Sequence, residues 1–391
     1  MTLQALVVGG GIGGLAAAIA CTRAGWEARL YEQAPEFSEV GAGIQLGPNA
    51  TRILDAWGLG EPLEAVAATP QRLVVRNAAD GAELSTLRLG AEFGERYGAP
   101  YLTIHRADLQ GLLLAAARER GIHLKLSCEV TAAQPLADAV RLRLAAGQEV
   151  EGDALVAADG LWSALRGHFL ADGEPRATGH LAYRSLAGQA RLPAAMRSQD
   201  ITVWLGPRMH LVSYPVSAGE RLNVVAIVQG AAKGSGRDWD QAAVAAELRA
   251  AAGPLCAPIA DLLQAMPHWR LWPLYDRAPL RSADEMARGR VALLGDAAHP
   301  MRPYLAQGAA MAVEDAAELG RALSTAAGNG MEVPLALRRY ALNRWRRCAR
   351  VQARARRNGE IFHATGWLRQ GRDWSLRLLG ARLLDQPWLY R

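Results

Sequence analysis

The segment QALVVGGGIGGLAAAIACTRAGWEARLYEQ (residues 4–33) decides the fold of this 391-residue chain. Residues 6–8 form a short apolar run that is typical of a buried strand. A glycine-rich turn leads from this run into an alanine-rich helix, which Gly25 ends, and residues 27–31 predict a second strand. A unit of strand, glycine turn, helix and strand predicts a Rossmann-like α/β domain.

The glycines of this segment follow the spacing G-x-G-x-x-G at Gly9, Gly11 and Gly14. The first glycine permits a tight turn, the second lets the backbone approach a pyrophosphate, and the third lets helix and strand pack closely. The amides at the start of the helix then point at the phosphates. Glu32 follows Gly14 by 18 residues, close to the spacing of a carboxylate that binds ribose hydroxyls. The segment therefore predicts a site for NAD or FAD, and the acid disfavours a 2′-phosphate.

The composition limits the class of protein. Half of the residues are hydrophobic and the chain has 391 residues, so we expect two closely packed domains. The net charge of +6 comes almost entirely from arginine, since lysine occurs only at Lys125 and Lys233, and we do not read it as a nucleic-acid surface. The four cysteines form no C-x-x-C pair, which indicates a reducing compartment. Because no apolar run reaches about 20 residues, we expect a cytoplasmic protein without a membrane span.

An arginine-rich segment at 338–359 carries Arg347, Arg350, Arg354 and Arg357 at helical spacing. Nothing in it matches the spacing of zinc ligands. We expect these arginines to form the solvated face of a helix.

Two further motifs follow the glycine turn at wide separation. One predicted strand ends in Asp159-Gly160 and another, residues 290–294, ends in Gly295-Asp296. With the glycine turn, these motifs occur in the order of the single-component flavoprotein aromatic hydroxylases, which include p-hydroxybenzoate, salicylate and 3-hydroxybenzoate hydroxylases. The chain resembles that family over nearly its whole length, including RNGEIFHATG (357–366).

The resemblance implies an α/β fold, with a Rossmann-like FAD-binding domain, an inserted β-sheet substrate domain and a C-terminal helical segment. We expect a discontinuous FAD-binding domain (1–175 and 276–330), a β-rich substrate domain (176–275) and a helical region (331–391). Residues 201–205, 209–216 and 221–228 predict a β-meander, because turn residues separate them.

The resemblance also implies FAD as bound cofactor and NADH or NADPH as co-substrate. By position, Glu32 would bind the adenosine ribose with Gln33 beside it, Val130 the adenine, and Asp296 the ribityl chain. Arg106 would reach the pyrophosphate–ribityl side, and Asp159 the dinucleotide phosphates. The full predicted cofactor set is Gly9, Gly11, Gly13, Gly14, Glu32, Gln33, Gln45, Arg106, Val130, Asp159, Asp296, Gly308 and Ala309.

The segment GDAAHPMRPYLAQGAAMAVEDA (295–316) concentrates acids and a histidine. No second group of metal ligands and no Ser or Cys nucleophile accompanies His299, so we expect no metal and treat His299 as local structure. A helix is predicted from Leu305 to about Ala327, with Glu314 and Asp315 as ordinary residues of its body. Its first turn, at Gln307-Gly308-Ala309, would face the flavin pyrimidine ring and stabilise negative charge.

Strand alternation places His210 and Tyr214 on one face, about 13 Å apart along the strand. Hydroxylases of the 3-hydroxybenzoate and 6-hydroxynicotinate type carry a His and a Tyr with this spacing. The resemblance therefore implies that His210 deprotonates or hydrogen-bonds a substrate phenol, a role that suits a base with pKa near 7. The predicted catalytic residues are His210, Tyr214 and Tyr304.

The predicted reaction begins when NAD(P)H reduces FAD. The reduced flavin and O2 form a C4a-hydroperoxide, which hydroxylates a small phenolic or hydroxy-aromatic carboxylate. Gln45 and Tyr304 stand where 6-hydroxynicotinate hydroxylases have His, and Pro303 stands where 3-hydroxybenzoate 6-hydroxylases have Gln. These departures weaken both assignments, and a hydroxybenzoate-like substrate stays the first candidate. Arg184 and Arg302 are candidates for binding the carboxylate.

Several alternatives stay open on the sequence alone. The enzyme could be a flavoprotein epoxidase or a hydroxylase of a larger apolar substrate. The chain could instead be a catalytically silent FAD-binding protein, or a dehydrogenase that uses NAD alone. The resemblance is compatible with a homodimer, and we expect no nucleic-acid partner.

Overall fold

The computed structural model describes residues 2–37, 42–231 and 240–390. Its strands within these ranges are β1 (Gln4–Val8), β2 (Glu27–Tyr31), β3 (Gly43–Leu46), β4 (Arg72–Asn77), β5 (Glu83–Arg88), β6 (Leu102–His105), β7 (His123–Lys125), β8 (Val130–Pro135), β9 (Val140–Leu144), β10 (Glu149–Gly152), β11 (Ala154–Ala157), β12 (Arg176–Gly188), β13 (Ile201–Gly206), β14 (Met209–Val216), β15 (Arg221–Gln229), β16 (Gln241–Ala243), β17 (Trp269–Asp276), β18 (Ala287–Arg288) and β19 (Val291–Leu293).

The helices of the same ranges are α1 (Ile12–Arg23), α2 (Pro48–Ala56), α3 (Gly60–Val66), α4 (Ala91–Tyr97), α5 (Arg106–Glu119), α6 (Ala164–Leu170), α7 (Ala245–Ala252), α8 (Ala257–Ala265), α9 (Ala283–Met286), α10 (Gly308–Asn329), α11 (Val333–Phe362), α12 (Gly366–Leu379), α13 (Ala381–Leu384) and α14 (Pro387–Tyr390). Short 3-10 helices occur at Gln189–Arg191, Ala194–Met196 and Gly295–Ala297.

The chain divides into two compact units. Unit 1 consists of residues 1–39, 109–176 and 276–355, and unit 2 of residues 40–108, 177–275 and 356–391. This grouping places residues 40–108 with the β-rich region and residues 331–355 with unit 1, whereas the predicted domains assign them otherwise. Compactness does not define a folding domain, so the predicted boundaries stay a prediction.

Unit 1 contains a six-stranded sheet in the order β18-β19-β11-β1-β2-β7. From β19 to β7 all pairs are parallel, as expected for short strands that are apolar on both faces. A three-stranded sheet, β10-β9-β8, belongs to the same unit. The strand, glycine turn, helix and strand predicted from residues 4–33 are confirmed as β1, α1 and β2.

Small residues let α1 and α10 pack closely in unit 1. A Cβ on Gly320 would lie 3.0 Å from the Ala20 carbonyl oxygen, and a Cβ on Gly13 would lie 3.1 Å from Leu294 Cδ2. The predicted start of α10 at Leu305 is wrong, because the helix begins at Gly308. Ala306 has φ +52°, a left-handed conformation that a right-handed helix cannot contain.

Unit 2 contains an eight-stranded sheet in the order β16-β17-β12-β15-β14-β13-β4-β5. The predicted meander is confirmed, since β13, β14 and β15 pair antiparallel in sequence order. One face of this sheet is apolar and packs against α7 and α8 through residues such as Leu211, Ala226, Leu248 and Leu263. The other face carries the polar residues described below.

The C-terminal segment is helical, as predicted, and consists of α11 to α14. Arg350 and Arg357 are exposed on α11, in agreement with the predicted solvated face. The prediction is wrong for Arg347, which pairs with Glu314. Of the helices in the described ranges, none combines the length and hydropathy needed to cross a bilayer.

Candidate functional site

The parallel strands of unit 1 bring three predicted motifs to one edge of the six-stranded sheet. Val8 pairs with Tyr31 on one side and with Ala157 on the other, and Ala157 pairs with Leu293. The segments that follow these strand ends are the glycine turn, Glu32, Asp159 and Gly295-Asp296. The carboxyl edge of an open α/β sheet is where such folds bind ligands.

The three motif glycines have the geometry that the sequence predicts. Gly9 has φ +106°, and a Cβ there would lie 2.3 Å from the Ala158 carbonyl oxygen. A Cβ on Gly14 would lie 1.8 Å from the Gly9 carbonyl oxygen, so helix and strand meet through this glycine. Gly11 has open space around its Cβ position, which leaves room for a ligand. Gly13, predicted in the cofactor set, serves the packing of α1 on Leu294 and Ala312.

Glu32 closes the glycine turn from the neighbouring strand. Its carboxylate accepts hydrogen bonds from the Gly10 amide at 2.5 Å and from the Ala34 amide at 2.8 Å. The side chain is therefore held at the position where the sequence places the ribose-binding acid, with lone pairs left for ribose hydroxyls. Gln33 beside it is exposed, and Val130 is buried at the start of β8.

Asp159 uses its carboxylate within the protein. Oδ1 accepts from the Ser163 hydroxyl at 2.6 Å and Oδ2 from the Leu165 amide at 3.3 Å, at the start of α6. Burial raises the pKa of Asp159, although these hydrogen bonds act to lower it. These contacts favour a structural role, and the predicted contact of Asp159 with a dinucleotide stays a prediction.

The sequence did not identify Arg166, on α6, as a positioning residue. Its buried guanidinium donates to the carbonyl oxygens of Ala297 and Ala298 at 2.9 and 2.6 Å and to Asp172 at 2.6 Å. It thereby fixes the loop that carries Asp296, which is exposed although its neighbours Gly295 and Ala297 are buried. In the sequence, residues 159–166 (DGLWSALR) offer only the residue type of Arg166 as a signal.

The start of α10 follows the same loop. Gly308 and Ala309 form its first turn and are partly exposed, with Gln307 as the N-cap residue. The amides of this first turn lack partners within the helix and carry partial positive charge. Tyr304, in the preceding loop, is buried, and burial raises the pKa of its hydroxyl.

Glu314 and Asp315 are not ordinary helix residues, and that prediction is wrong. They belong to the ionic cluster, which we define as His299, Glu314, Asp315, Arg344 and Arg347. Asp315 accepts from His299 Nε2 at 2.5 Å, from the Gly295 amide at 3.1 Å and from Arg344 Nε at 2.7 Å. Glu314 accepts from Arg344 at 2.6 Å and from Arg347 at 2.6 and 2.7 Å. The prediction failed because the arginine partners of Glu314 and Asp315 lie on α11, about 30 residues away in sequence.

Electrostatics holds the ionic cluster charged. Burial acts to lower the pKa of His299, but the neighbouring Cys348 and Asp315 outweigh it and hold that pKa well above its usual range. Burial acts to raise the pKa of Asp315, but His299 and Arg344 hold it well below its usual range. His299 Nε2, Asp315 and Cys348 Sγ lie within 4.8 Å of one another. Because Arg344 already donates to this carboxylate, the geometry favours ion pairing over a metal ion.

In unit 2, predicted catalytic and substrate-binding residues lie on one face of the eight-stranded sheet. The register pairs Arg184 with Val225 and Val225 with Val212, so Arg184 lies on the face of His210 and Tyr214. Tyr214 pairs with Asn223. His180 on β12 shares this face by alternation. The structure thus brings His210 and Tyr214 together with three polar residues, whereas Tyr304 belongs to unit 1.

His210 hydrogen-bonds a second histidine that the sequence analysis missed. Its Nδ1 lies 2.8 Å from Nε2 of His363, and both residues are buried. The rings of His180 and His363 meet edge to face, 4.9 Å apart. Burial and then the neighbouring histidines hold the pKa of His210 well below its usual range, and burial, His180 and Arg372 lower that of His363 to about 3. We call His180, His210 and His363 the histidine cluster.

Tyr214 uses its hydroxyl to hold β3. The hydroxyl donates to the Gly43 carbonyl oxygen at 2.7 Å, and the Gly43 amide donates to Asn223 Oδ1 at 2.9 Å. Burial raises the pKa of Tyr214, so the hydroxyl keeps its proton. These contacts favour a positioning role for Tyr214, and its predicted catalytic role stays a prediction.

Gln45 and Arg106, both predicted to bind cofactor, lie in unit 2. Gln45 is on β3, and its Oε1 accepts from the Tyr101 hydroxyl at 2.8 Å. Arg106 follows β6, the partner strand of β3, and its amide donates to the Ala42 carbonyl oxygen. The pairing of β3 with β6 therefore positions both residues.

The two arginines considered for a substrate carboxylate differ in their partners. Arg302 donates to Asp276 at 2.8 Å. Arg184 stacks on the Trp272 ring at 4.0 Å, and its buried Nε lacks a hydrogen-bond partner among the described residues. Burial, opposed by Tyr214 and assisted by nearby Arg106, lowers the pKa of Arg184 to about 10. Arg184 is a buried cation that no carboxylate of the described residues neutralises.

Comparison with known proteins gives the family. Residues 2–355 match the family model described as FAD binding domain. The chain belongs to the FAD binding domain family. It is 37% identical to 3-hydroxybenzoate 6-hydroxylase of Polaromonas naphthalenivorans (strain CJ2), over 99% of this chain and 96% of that protein. It is 39% identical to 3-amino-4-hydroxybenzoate 2-monooxygenase PtnB3 of Streptomyces platensis, over 98% of this chain and 94% of that protein.

A solved structure agrees with this family. HpxO of Klebsiella pneumoniae, complexed with FAD and uric acid, superimposes with a TM-score of 0.86 at 28% identity, over 98% of this chain and 94% of that one. The predicted flavin-dependent monooxygenase of the aromatic hydroxylase class is confirmed, with FAD as cofactor and NAD(P)H as co-substrate.

The residues of unit 1 fit FAD. Gly11 leaves open space at the glycine turn, Glu32 is held with spare lone pairs, and Asp296 is exposed at a neighbouring strand end. When bound, FAD supplies the redox and oxygen chemistry.

Proposed function

We propose that this flavoprotein hydroxylates the ring of a small phenolic carboxylate, with a hydroxybenzoate as the first candidate. The named relatives act on 3-hydroxybenzoate and on 3-amino-4-hydroxybenzoate, both of which carry a ring hydroxyl and a carboxylate. The face of the eight-stranded sheet in unit 2 offers one group for each of these substituents.

The observation that carries this proposal is the unpaired cation at Arg184. A buried guanidinium without a counter-charge is costly, and a carboxylate ligand that arrives with the substrate relieves that cost. Planar guanidinium groups match carboxylates through two parallel hydrogen bonds. Arg302 is the weaker candidate because Asp276 already occupies its guanidinium.

His210 supplies the group for the ring hydroxyl. A phenolate ring is a better nucleophile than the phenol, so a base at the hydroxyl promotes attack by the ring. Since Nδ1 of His210 is engaged by His363, proton exchange with the substrate runs through Nε2. The low pKa keeps His210 neutral near pH 7, so that a ring nitrogen lone pair is available to the hydroxyl, but it makes His210 a weaker base than the group with pKa near 7 that the sequence predicts.

The test is a substrate series with the FAD-loaded enzyme. NADH and NADPH oxidation is measured with 3-hydroxybenzoate, 4-hydroxybenzoate, salicylate and 6-hydroxynicotinate, and products are identified by mass. Benzoate and phenol, which lack the hydroxyl and the carboxylate respectively, are the matched controls. We expect hydroxylated product only from ligands with both groups. Efficient hydroxylation of phenol, or of larger apolar ligands only, contradicts the proposal.

Arg184→Met tests the carboxylate contact. We expect KM for the best hydroxybenzoate to rise about tenfold to a hundredfold, the worth of a hydrogen-bonded charge pair, with FAD still bound. Arg302→Met is the matched control and should leave this KM within about twofold. If the two variants exchange these effects, the carboxylate lies at Arg302.

The remaining predicted site residues are part of the same proposal. We assign FAD to the edge of unit 1 formed by the glycine turn, Glu32, Asp296 and the first turn of α10. The predicted cofactor contacts of Arg106 and Gln45, which lie in unit 2, stay predictions. The homodimer and the cytoplasmic location stay predictions.

A further inference from the structure

We infer that His363 is a positioning residue that sets the tautomer of His210, and through it the state of the nitrogen that meets the substrate hydroxyl. This inference rests on the proposed function, because the direction of the hydrogen bond is assigned from the need for a base, but the tautomer can be measured without a substrate. His363 lies 153 residues from His210 in sequence, within the segment RNGEIFHATG (357–366), for which no site role was predicted.

The contact between the two rings admits one hydrogen. Nδ1 of His210 and Nε2 of His363 are 2.8 Å apart, a hydrogen-bond distance that requires one ring to donate and the other to accept. Both side chains are buried, at 2% and 4% exposure, so water does not compete for this bond. Low pKa values keep both rings neutral near pH 7, which leaves a single hydrogen between them.

The direction of this bond decides what His210 can do. If His210 Nδ1 donates, its Nε2 carries a lone pair and can take the proton of a phenol. If His363 Nε2 donates, His210 carries its hydrogen on Nε2 and can only donate to a phenolate. Because a base is needed, we assign the donor role to His210 Nδ1. This is the tautomer that an isolated histidine side chain populates less, so His210 needs an acceptor to hold it.

Backbone contacts hold the end of α11 that carries His363 in place. His363 follows the last residue of α11, and its carbonyl oxygen accepts from the Arg208 amide at 3.1 Å in the turn between β13 and β14. Arg372 donates to the carbonyl oxygens of Ile361 and Phe362 at 3.3 and 2.7 Å. Asp373 orients Arg372 at 2.8 Å. The helix end is thus held from both sides, and the imidazole of His363 cannot drift from His210.

The direct test is nitrogen NMR of the FAD-loaded enzyme labelled with 15N-histidine. The chain has 8 histidines, and the His210 signals are assigned by their loss in His210→Asn. We expect the His210 hydrogen on Nδ1 in the wild type and on Nε2 in His363→Leu. A wild-type His210 that carries its hydrogen on Nε2 overturns the inference, and this result needs no substrate and no variant other than the folded His210→Asn used for the assignment.

A second measurement determines which fraction of a bound substrate analogue is ionised. A nitro-substituted hydroxybenzoate changes colour on ionisation, so its phenolate fraction can be read while it is bound. We expect this fraction, at fixed pH, to fall roughly tenfold in His363→Leu, the worth of about one hydrogen bond. His363→Gln, whose amide oxygen can accept from Nδ1, should restore most of it. Equal phenolate fractions in the wild type and His363→Leu contradict the inference.

Phe362→Leu is the matched control. The Phe362 ring packs on His210 with centroids 5.3 Å apart, so the substitution disturbs the packing of His210 without removing its hydrogen bond. We expect the wild-type tautomer and the wild-type phenolate fraction. A loss equal to that of His363→Leu would assign the effect to packing and overturn the inference.

The failure of this inference differs from the failure of the proposed function. If the wild type hydroxylates no phenolic carboxylate, the proposed function fails, while the NMR experiment still decides the role of His363. If hydroxylation occurs and its pH profile is the same in His363→Leu, the function stands and the inference fails.

Discussion

His299 in unit 1 and His210 in unit 2 are both buried, and each hydrogen-bonds through one ring nitrogen. Burial acts to lower the pKa of each. For His299 the anionic partner Asp315 and the neighbouring Cys348 reverse this effect, whereas for His210 the partner His363 adds to it. Burial alone therefore does not decide the charge of a histidine, because the charge of its hydrogen-bond partner does.

The two clusters suit different tasks. A charged, fully paired group holds a loop rigidly, and the ionic cluster ties the Gly295 amide and His299 to α10 and α11. A neutral histidine can accept a proton, and the histidine cluster lies on the polar face of the eight-stranded sheet. These partners support a structural role for His299 and the proposed chemical role of His210.

The largest effect is expected when the ionic cluster loses its central anion. Asp315→Asn leaves His299 and Arg344 buried without their counter-charge, which should cost roughly 3–5 kcal/mol of unfolding free energy. Urea unfolding at saturating FAD measures the loss. Asp284→Asn, which removes the exposed partner of Arg338, is the control and should change stability by less than about 0.5 kcal/mol. Equal losses in both variants would mean that burial of the pair is unimportant.

Because the histidine cluster is neutral in the folded protein, we expect the free energy of unfolding to fall at low pH. Unfolded histidine has a pKa of 6.5, whereas His363 in the folded protein has one of about 3. The unfolded state therefore binds more protons below pH 6.5, so stability is full above that pH and falls as the pH drops toward 3. Each histidine held neutral costs about 2 kcal/mol between pH 7 and pH 5, at about 1.4 kcal/mol per unit below 6.5.

His363→Leu tests this cost directly. The variant should lose about 2 kcal/mol less than the wild type between pH 7 and pH 5, measured by urea unfolding at both values. His123→Leu, on an exposed residue of β7, is the control and should follow the wild type. If all three proteins lose the same stability, His363 is protonated in the folded state.

The sequence predicts the parts of the fold and of the site that depend on residues close together in the chain. The glycine turn, Glu32 and the strand 209–216 each combine a spacing with a steric or periodic reason, and the structure has the geometry that those reasons require. Local spacing cannot identify the hydrogen-bonded residue pairs that define the two clusters, since His363 is 153 residues from His210 in sequence. Alternation can place His210 on a face, but only the fold supplies its partner.

Two local errors have the same origin. The predicted start of α10 fails at Ala306, where the fold imposes a left-handed conformation that alanine does not signal. Asp315 looked like an ordinary helix residue because its helix is regular, while its partners come from α11 and the loop after β19. At Asp315 tertiary contacts override the local preference, and at Ala306 the backbone conformation of the fold does.

The smallest effect is a pH trend of opposite sign at His299. Its folded pKa is raised, so the stability that its charge contributes is full below the unfolded value of 6.5 and is lost as the pH rises toward the folded pKa. The destabilisation caused by His299→Gln should therefore shrink by about 1.4 kcal/mol for each pH unit above 6.5. Unfolding free energies at pH 6.5 and 7.5 measure it. A destabilisation that grows over this interval would make His299 neutral, and the two clusters would then be alike.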